Sequence, residues 1–284
     1  MRASAYQPKF ALVGAGAVVR SLIGRMHSRA HTLGPVAAVS LRVASRIANS
    51  LHAGTAVGSP KEIDGTRVVL FHAPPEQALV LVDFLSDAAI RWRGKSLILC
   101  DSELPLTAIR MLQQSGAAIA SVKSLPAINS AVIEGHGEPG ATAAARRVVL
   151  DAGLLPIQVA PGGGILLGAA VTLCTGALSP VIERAAVLLR AAGLRDSEAA
   201  QLAARMVGQT ASDYAHSGKQ SWVWHVRPPD PARLAAEVAA APEGTREFLR
   251  QLIIAGLEDL VRHPEVADRL RALLSLGQRV QGAG

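Results

Sequence analysis

The apolar run Phe10-Ala11-Leu12-Val13 leads directly into Gly14-Ala15-Gly16-Ala17-Val18. A glycine turn in that position can hold an anion. Gly14 permits the bend, Gly16 lets backbone approach a pyrophosphate, and the N–H groups of a helix opening there face the negative charge. A second apolar run, Val36–Val39, ends in Ser40-Leu41-Arg42, with Ser45-Arg46 one turn later. A site preferring NAD carries Asp or Glu there to meet the ribose hydroxyls. Here Ser40, Arg42 and Arg46 present no carboxylate, and two guanidinium groups suit a 2′-phosphate, which favours NADP over NAD. The plain alternative is that both arginines only solvate a surface helix.

Hydride transfer to a C=N or C=O bond needs a held cofactor, a pocket that excludes water, and a proton source or hydrogen-bond donor. His72, followed by Ala73 and Pro74, ends another apolar run, and Lys123-Ser124 ends a further one. His72 can serve as proton donor, Lys123 and Ser124 as polar groups at the strand end, and Thr172 and Thr175 as hydroxyl donors from a helix. Tyr214, beside Asp213 and His216, offers a phenol that can donate to a reducing carbonyl or imine. Each has a bland alternative. His72 can bond backbone in a loop, Thr172 and Thr175 can back-bond within their own helix, and Lys123 can be solvated. Trp222-Val223-Trp224-His225 is either a pocket wall or helix packing. No His-x-x-His, Glu-x-x-His or clustered Cys suggests a metal, and no Gly-x-Ser-x-Gly suggests a serine nucleophile.

The elements that must position these groups follow from the apolar pattern. Strands are expected at 10–13, 36–39, 67–71, 96–100, 117–122, 132–135 and 156–159, with helical stretches between them. That alternation predicts a doubly wound parallel sheet, whose ligands gather at the carboxyl ends of the strands. A helix is expected directly after the glycine turn, with Val19 at the third fingerprint position crowding it against the strand. Beyond a helix near 141–152 and the glycines Gly162, Gly163 and Gly164, the reading is helical: about 164–192, 196–216, 231–240, 243–262 and 265–276. The fold class is therefore α/β plus all-α, with a nucleotide-binding domain over 1–160 and a helical domain over 161–284.

Composition narrows the function classes. Half of the 284 residues are hydrophobic and 18% charged, which excludes a disordered chain. Nine aromatics in all leave no base-stacking platform, and the net charge of +7 comes from dispersed arginines, so nucleic acid is not an expected partner. Cys100 and Cys174 lie far apart, as in a reduced, cytoplasmic compartment. The polar segment 1–9 is not a signal peptide. Residues 164–182 approach membrane-spanning length, but they are rich in Gly, Ala and Thr, carry Ser179-Pro180 and lack flanking Trp or Tyr. No membrane is therefore expected. A helix apolar all round also suits a subunit interface.

In their order along the chain these motifs resemble the pyrroline-5-carboxylate reductase-like branch of the 6-phosphogluconate dehydrogenase-like oxidoreductases. The resemblance rests on the glycine turn at 14–16, Phe71-His72-Ala73-Pro74, Val122-Lys123-Ser124-Leu125-Pro126, Ile182-Glu183 through Gly193-Leu194, and Pro242-Glu243-Gly244-Thr245. It implies a Rossmann-like domain and a helical dimerisation domain, a homodimer with residues 164–192 near its centre, and reduction of a small-molecule imine or ketone with NADP. NAD or a deazaflavin is the lesser cofactor alternative. This chain departs from the family where a hydroxyl-rich stretch before the interface helix is replaced by Val171–Ala177. A His and an Asn that relatives carry on this helix fall on Gly168 and Gly176. Those departures keep a second reading open, a non-catalytic Rossmann protein that binds a nucleotide for regulation or partner contact.

Overall fold

The computed structural model describes residues 9–86, 90–125, 128–221, 229–257 and 263–281. The Trp222–His225 cluster and Pro126 lie outside the described residues. Two compact units are present, Met1–Gly168 and Ala169–Gly284.

The first unit is built on eight strands: β1 (Phe10–Gly14), β2 (Leu33–Ala37), β3 (Thr55–Ala56), β4 (Val68–His72), β5 (Ser96–Cys100), β6 (Ala118–Leu125), β7 (Ser130–Gly135) and β8 (Leu155–Val159). Their order in the sheet is β3-β2-β1-β4-β5-β6-β7-β8. Alternate side chains of the buried strands face opposite sides, as the period of two requires. Leu12, Leu70, Ile98 and Ala120 join one core with Ile47 and Val148. Val13, Phe71, Leu99 and Ile119 join another with Leu81 and Leu112. With both faces covered, central strands read as unbroken apolar runs.

β2 begins three residues before the expected run, at Leu33, and leaves Val39 half exposed. β7 runs antiparallel to β6, pairing Lys123 with Val132 and Leu125 with Ser130. The reason is chain length. Only 126–129 separate the strands, and a parallel return needs a crossover of about a dozen residues. All other pairs are parallel.

The expected helix after the glycine turn is broken. A 3₁₀ turn, Val18–Arg20, is followed by Ser21 in extended backbone and the single turn α1 (Leu22–Arg25), then α2 (Arg29–Thr32). Ser21 causes the break: its hydroxyl donates to the Val18 carbonyl at 2.7 Å and accepts from the Ile23 N–H at 3.2 Å. A Cβ on Gly24 would overlap the Val19 carbonyl, so the chain folds back tightly there. Val19 points outward and does not crowd the sheet; Val18 packs beneath Gly14 instead.

The remaining helices of this unit are α3 (Leu41–Leu51), α4 (Pro75–Leu85), α5 (Leu106–Gln114) and α6 (Pro139–Asp151), and α7 (Gly163–Val171) begins in it. Glu134, at the end of β7, accepts from the N–H groups of Gly162 at 2.6 Å and Gly164 at 3.1 Å. It thereby satisfies donors that the start of α7 leaves without helical partners.

The expected continuous helix over 164–192 is interrupted. α7 passes through a π-helical turn, Thr172–Ala177, into α8 (Leu178–Ala191). Along this run of 29 residues, long and apolar enough by composition to cross a membrane, Ala186 is the buried side chain. α9 (Asp196–Ser217) packs on α8 through Ala199 and Ala203. α10 (Pro231–Ala240), α11 (Glu243–Gly256) and α12 (Pro264–Gln281) share a second small core of Leu234, Val238, Ile253 and Leu270.

Candidate cofactor site

The site is assembled at the carboxyl ends of β1, β4, β5 and β6, which run parallel and therefore end along one edge of the sheet. The Ala15 N–H donates to the His72 carbonyl at 2.8 Å, tying the glycine turn to the end of β4. Gly16 has φ +71°, and a Cβ there would lie 3.2 Å from the Pro74 ring. Both the left-handed backbone and the close proline require glycine at this position. Gly14 and Ala15 are buried, whereas Gly16 and Ala17 are exposed. The N–H groups of Gly16 and Ala17 donate to no group among the described residues. Exposed amides on a glycine turn suit phosphate oxygens.

Beyond β2, the Ser40 hydroxyl accepts from the Val43 N–H at 3.4 Å and caps α3. Its own proton remains free to donate. Arg42 and Arg46, one turn apart on α3, are both exposed. Neither forms an ion pair among the described residues. Guanidinium groups left in water are donors of the kind that suit phosphate oxygens.

At the end of β4, His72 is half-buried and its Nδ1 lies 2.8 Å from the Cys100 carbonyl. A carbonyl only accepts, so Nδ1 carries the proton and Nε2 is the atom left for other contacts. The Ala73 N–H donates to Ser102 Oγ at 2.9 Å, and Ser102 Oγ–H donates to the Cys100 carbonyl at 3.1 Å. Burial, and after it the Asp101 carboxylate, pushes the Cys100 thiol well above its ordinary range, so it offers no thiolate.

Asp101 is a residue to which sequence reasoning gave no role, although 100–102 end a strand at this crevice. It follows β5 directly and has φ +50°. Its Oδ2 accepts from the Leu22 N–H at 2.8 Å, and its Oδ1 from the Ser124 N–H at 2.7 Å and the Ser124 hydroxyl. The signal available beforehand was a charged residue immediately after a fully buried parallel strand.

Lys123 points away from that network. Its ammonium lies 3.5 Å from Glu103, and both side chains are largely in water. Thr172, Thr175 and Tyr214 belong to the second unit and are exposed there. Thr175 donates to the Val171 carbonyl at 2.6 Å, the back-bond expected of a helical threonine. Thr172 and Thr175 both sit in the π-helical turn, a distortion that helices often carry at functional sites. Among the described residues, no group of three His, Cys, Asp or Glu side chains converges as a metal site would require.

No protein-family model matches the chain. No curated protein sequence matches it either. Solved structures do. A reductive aminase from Aspergillus terreus in complex with NADPH4, cyclohexanone and allyl amine is 15% identical, with TM-score 0.57, over 94% of this chain and 99% of that one. An imine reductase from Myxococcus stipitatus in complex with NADP+ is 16% identical, with TM-score 0.55, over 96% of this chain and 95% of that one. A pyrroline-5-carboxylate reductase from Coxiella burnetii is 14% identical, with TM-score 0.54, over 96% of this chain and 98% of that one. The chain therefore has the fold of these reductases, a Rossmann-like sheet followed by a helical region, at a sequence distance that shows the fold alone.

Proposed function

We propose that this protein is an NADP-dependent oxidoreductase that reduces a small imine or ketone and works as a homodimer. One observation carries the reading: exposed amides at Gly16 and Ala17, unengaged among the described residues, occur in the same unit as Arg42 and Arg46 of α3, which form no ion pair among the described residues, with no carboxylate among Ser40, Arg42 and Arg46. The fold neighbours support it, since two were solved with NADPH4 or NADP+.

In this reading the turn amides bind the diphosphate, and Arg42, Arg46 and the Ser40 hydroxyl bind the 2′-phosphate. Ala73 and Pro74 wall the cofactor where the Pro74 ring stands over the side-chain position that Gly16 leaves empty. The bound cofactor supplies hydride to the C=N or C=O carbon, and a proton completes the amine or alcohol. His72 or Lys123 delivers that proton: His72 through Nε2 when the ring is protonated, Lys123 from its ammonium. Thr172, Thr175 and Tyr214 supply substrate contacts from the helical unit. An iminium substrate arrives with its proton, and positioning then does most of the remaining work.

Exposure supports the homodimer. Ile165 is 81% exposed, Leu166 75% and Leu173 67%, along a run with one buried side chain. Exposed apolar surface of that extent marks an interface, and a second copy is the occupant we assign. Sedimentation without detergent should show a dimer at micromolar concentration, and Ile165→Asp with Leu166→Asp should give monomer. A stable wild-type monomer would overturn this assignment, as would recovery of the chain only with membranes.

Turnover with NADPH and a panel of cyclic imines and 2-oxo acids tests the chemistry. One observation favours the second reading, a nucleotide-binding protein without catalysis. His72 gives its Nδ1–H to a backbone carbonyl and Asp101 gives both oxygens to the Leu22 and Ser124 donors, so these two side chains are engaged in holding the fold. NADPH binding without turnover across the panel would select that reading.

A further inference from the structure

The segment after the glycine turn lacks the means to hold itself in place. A 3₁₀ turn and a single α-turn make too few internal hydrogen bonds to be stable alone, because helix nucleation is unfavourable. Something outside the segment must fix it: Leu22, Ile23 and Met26 are buried in the core with Val148, and the Asp101 carboxylate takes a backbone N–H of the segment. We infer that Asp101 is a positioning residue for the dinucleotide: it locks the chain that follows Gly16 and Ala17 onto the ends of β5 and β6. The inference rests on the cofactor reading proposed above.

The geometry is that of a three-way clamp. Oδ2 takes the Leu22 N–H, 79 residues away in sequence, while Oδ1 takes both donors of Ser124, 23 residues away. The Asp101 N–H donates to the Val122 carbonyl at 2.8 Å, and this fixes the left-handed backbone that aims the carboxylate. Leu22 is fully buried, so its amide has no water to turn to if the carboxylate is withdrawn. Ser21 transmits the constraint, since its hydroxyl joins the Val18 carbonyl to the Ile23 N–H. Val18 in turn packs under Gly14. Releasing Leu22 therefore loosens the turn whose amides are to meet the phosphates.

A turn that is correctly placed only part of the time weakens apparent affinity by that fraction and leaves the bound state unchanged. The expected mark of Asp101 is thus a rise in Kd and KM for NADPH with kcat at saturating NADPH retained. Loss of a hydrogen bond to a charged group predicts a rise of roughly tenfold to a hundredfold.

The test compares wild type, Asp101→Asn and Ser124→Ala by NADPH fluorescence titration and by hydrogen exchange of the cofactor-free chain. All measurements are made where circular dichroism shows each variant folded. Asn keeps the left-handed backbone but sets one acceptor oxygen against three donors. Asp101→Asn should raise Kd at least tenfold and speed exchange over residues 16–25. Ser124→Ala, which leaves the Leu22 bond intact, should change Kd less than threefold. Should Asp101→Asn not fold, Asp101→Glu, which keeps the charge and displaces it by one methylene, must show the same rise in Kd. Wild-type affinity in the Asp101 variant overturns the inference, and so does faster exchange at 16–25 with Kd unchanged, which would make the clamp structural only. Failure of the wild type to bind NADPH is a different result: it removes the proposed function, while the exchange measurement still reads the clamp.

Discussion

Gly164→Ala is a substitution whose sign depends on one contact. In the first turn of α7, alanine should stabilise, since it is favoured over glycine in helices by about 0.8–1.0 kcal/mol and by less near an end. Here, however, a Cβ would overlap Oε2 of Glu134, the oxygen that accepts the Gly164 N–H. The carboxylate end is flexible and can swing aside, so steric strain is small. What is lost is the cap: the bonds to Gly162 at 2.6 Å and Gly164 at 3.1 Å go together. Two hydrogen bonds to a charged acceptor are worth about 3–6 kcal/mol before the half-buried carboxylate recovers water, and helix caps deliver about 0.5–2 kcal/mol net, the two N–H groups held here placing this one at the upper end. The loss exceeds the propensity gain, giving about 1 kcal/mol of destabilisation, or a Tm lower by roughly 2–4 °C. Thermal unfolding followed by circular dichroism reads this, and a double-mutant cycle isolates the cause. In a Glu134→Ala background the contact is already gone, so Gly164→Ala should raise Tm slightly. A Tm increase in the wild-type background, or the same decrease in both backgrounds, would refute the reasoning.

Asp64 carries a pH prediction. The Arg91 backbone N–H, then its guanidinium, and Lys95 at 3.2 Å hold the Asp64 carboxyl down from 3.8 to about 2. A depressed carboxyl stabilises the fold above its unfolded value, so this contribution should be complete above about pH 4 and fade as pH falls towards 2. Asp64→Asn should flatten that part of the acid-unfolding curve. Gly16→Val should weaken NADPH binding by tenfold or more in titration, because a β-branched residue at φ +71° is strained and meets the Pro74 ring. With a maleimide, Cys174 should react in the folded Ile165→Asp, Leu166→Asp monomer and Cys100 only after unfolding, as mass spectrometry would show; equal labelling of both in that folded variant would contradict the burial of Cys100.

Much of the sheet is legible in the sequence because its central strands are buried on both faces. Phe10–Val13, Arg67–Phe71 and Ser96–Cys100 stand out as apolar runs, and β1, β4 and β5 fall on them. Orientation is not written in such runs. Val132–Gly135 reads the same in either direction, and only the four residues between β6 and β7 force the reversal. The glycine turn and the arginines past β2 are legible because backbone chemistry and charge restrict the residue types there. The broken helix after the turn is less so: Ser21 and Gly24 disfavour a helix individually, but the bonds that stop it involve the carbonyl of Val18 and close packing on Val19. Asp101 depends on partners 79 and 23 residues away, a juxtaposition that only the assembled sheet creates. The π-helical turn has no periodic trace, since Thr172–Ala177 is as apolar and small as the helix around it.

Calorimetric titration of the 284-residue chain with NADPH and NADH, alongside Arg42→Ala with Arg46→Ala, bears most directly on the proposed cofactor chemistry. The account predicts heat of binding with NADPH, an affinity for it at least tenfold above that for NADH, and loss of that preference in the double variant. No heat with either coenzyme, or equal affinity for both in the wild type, would contradict it.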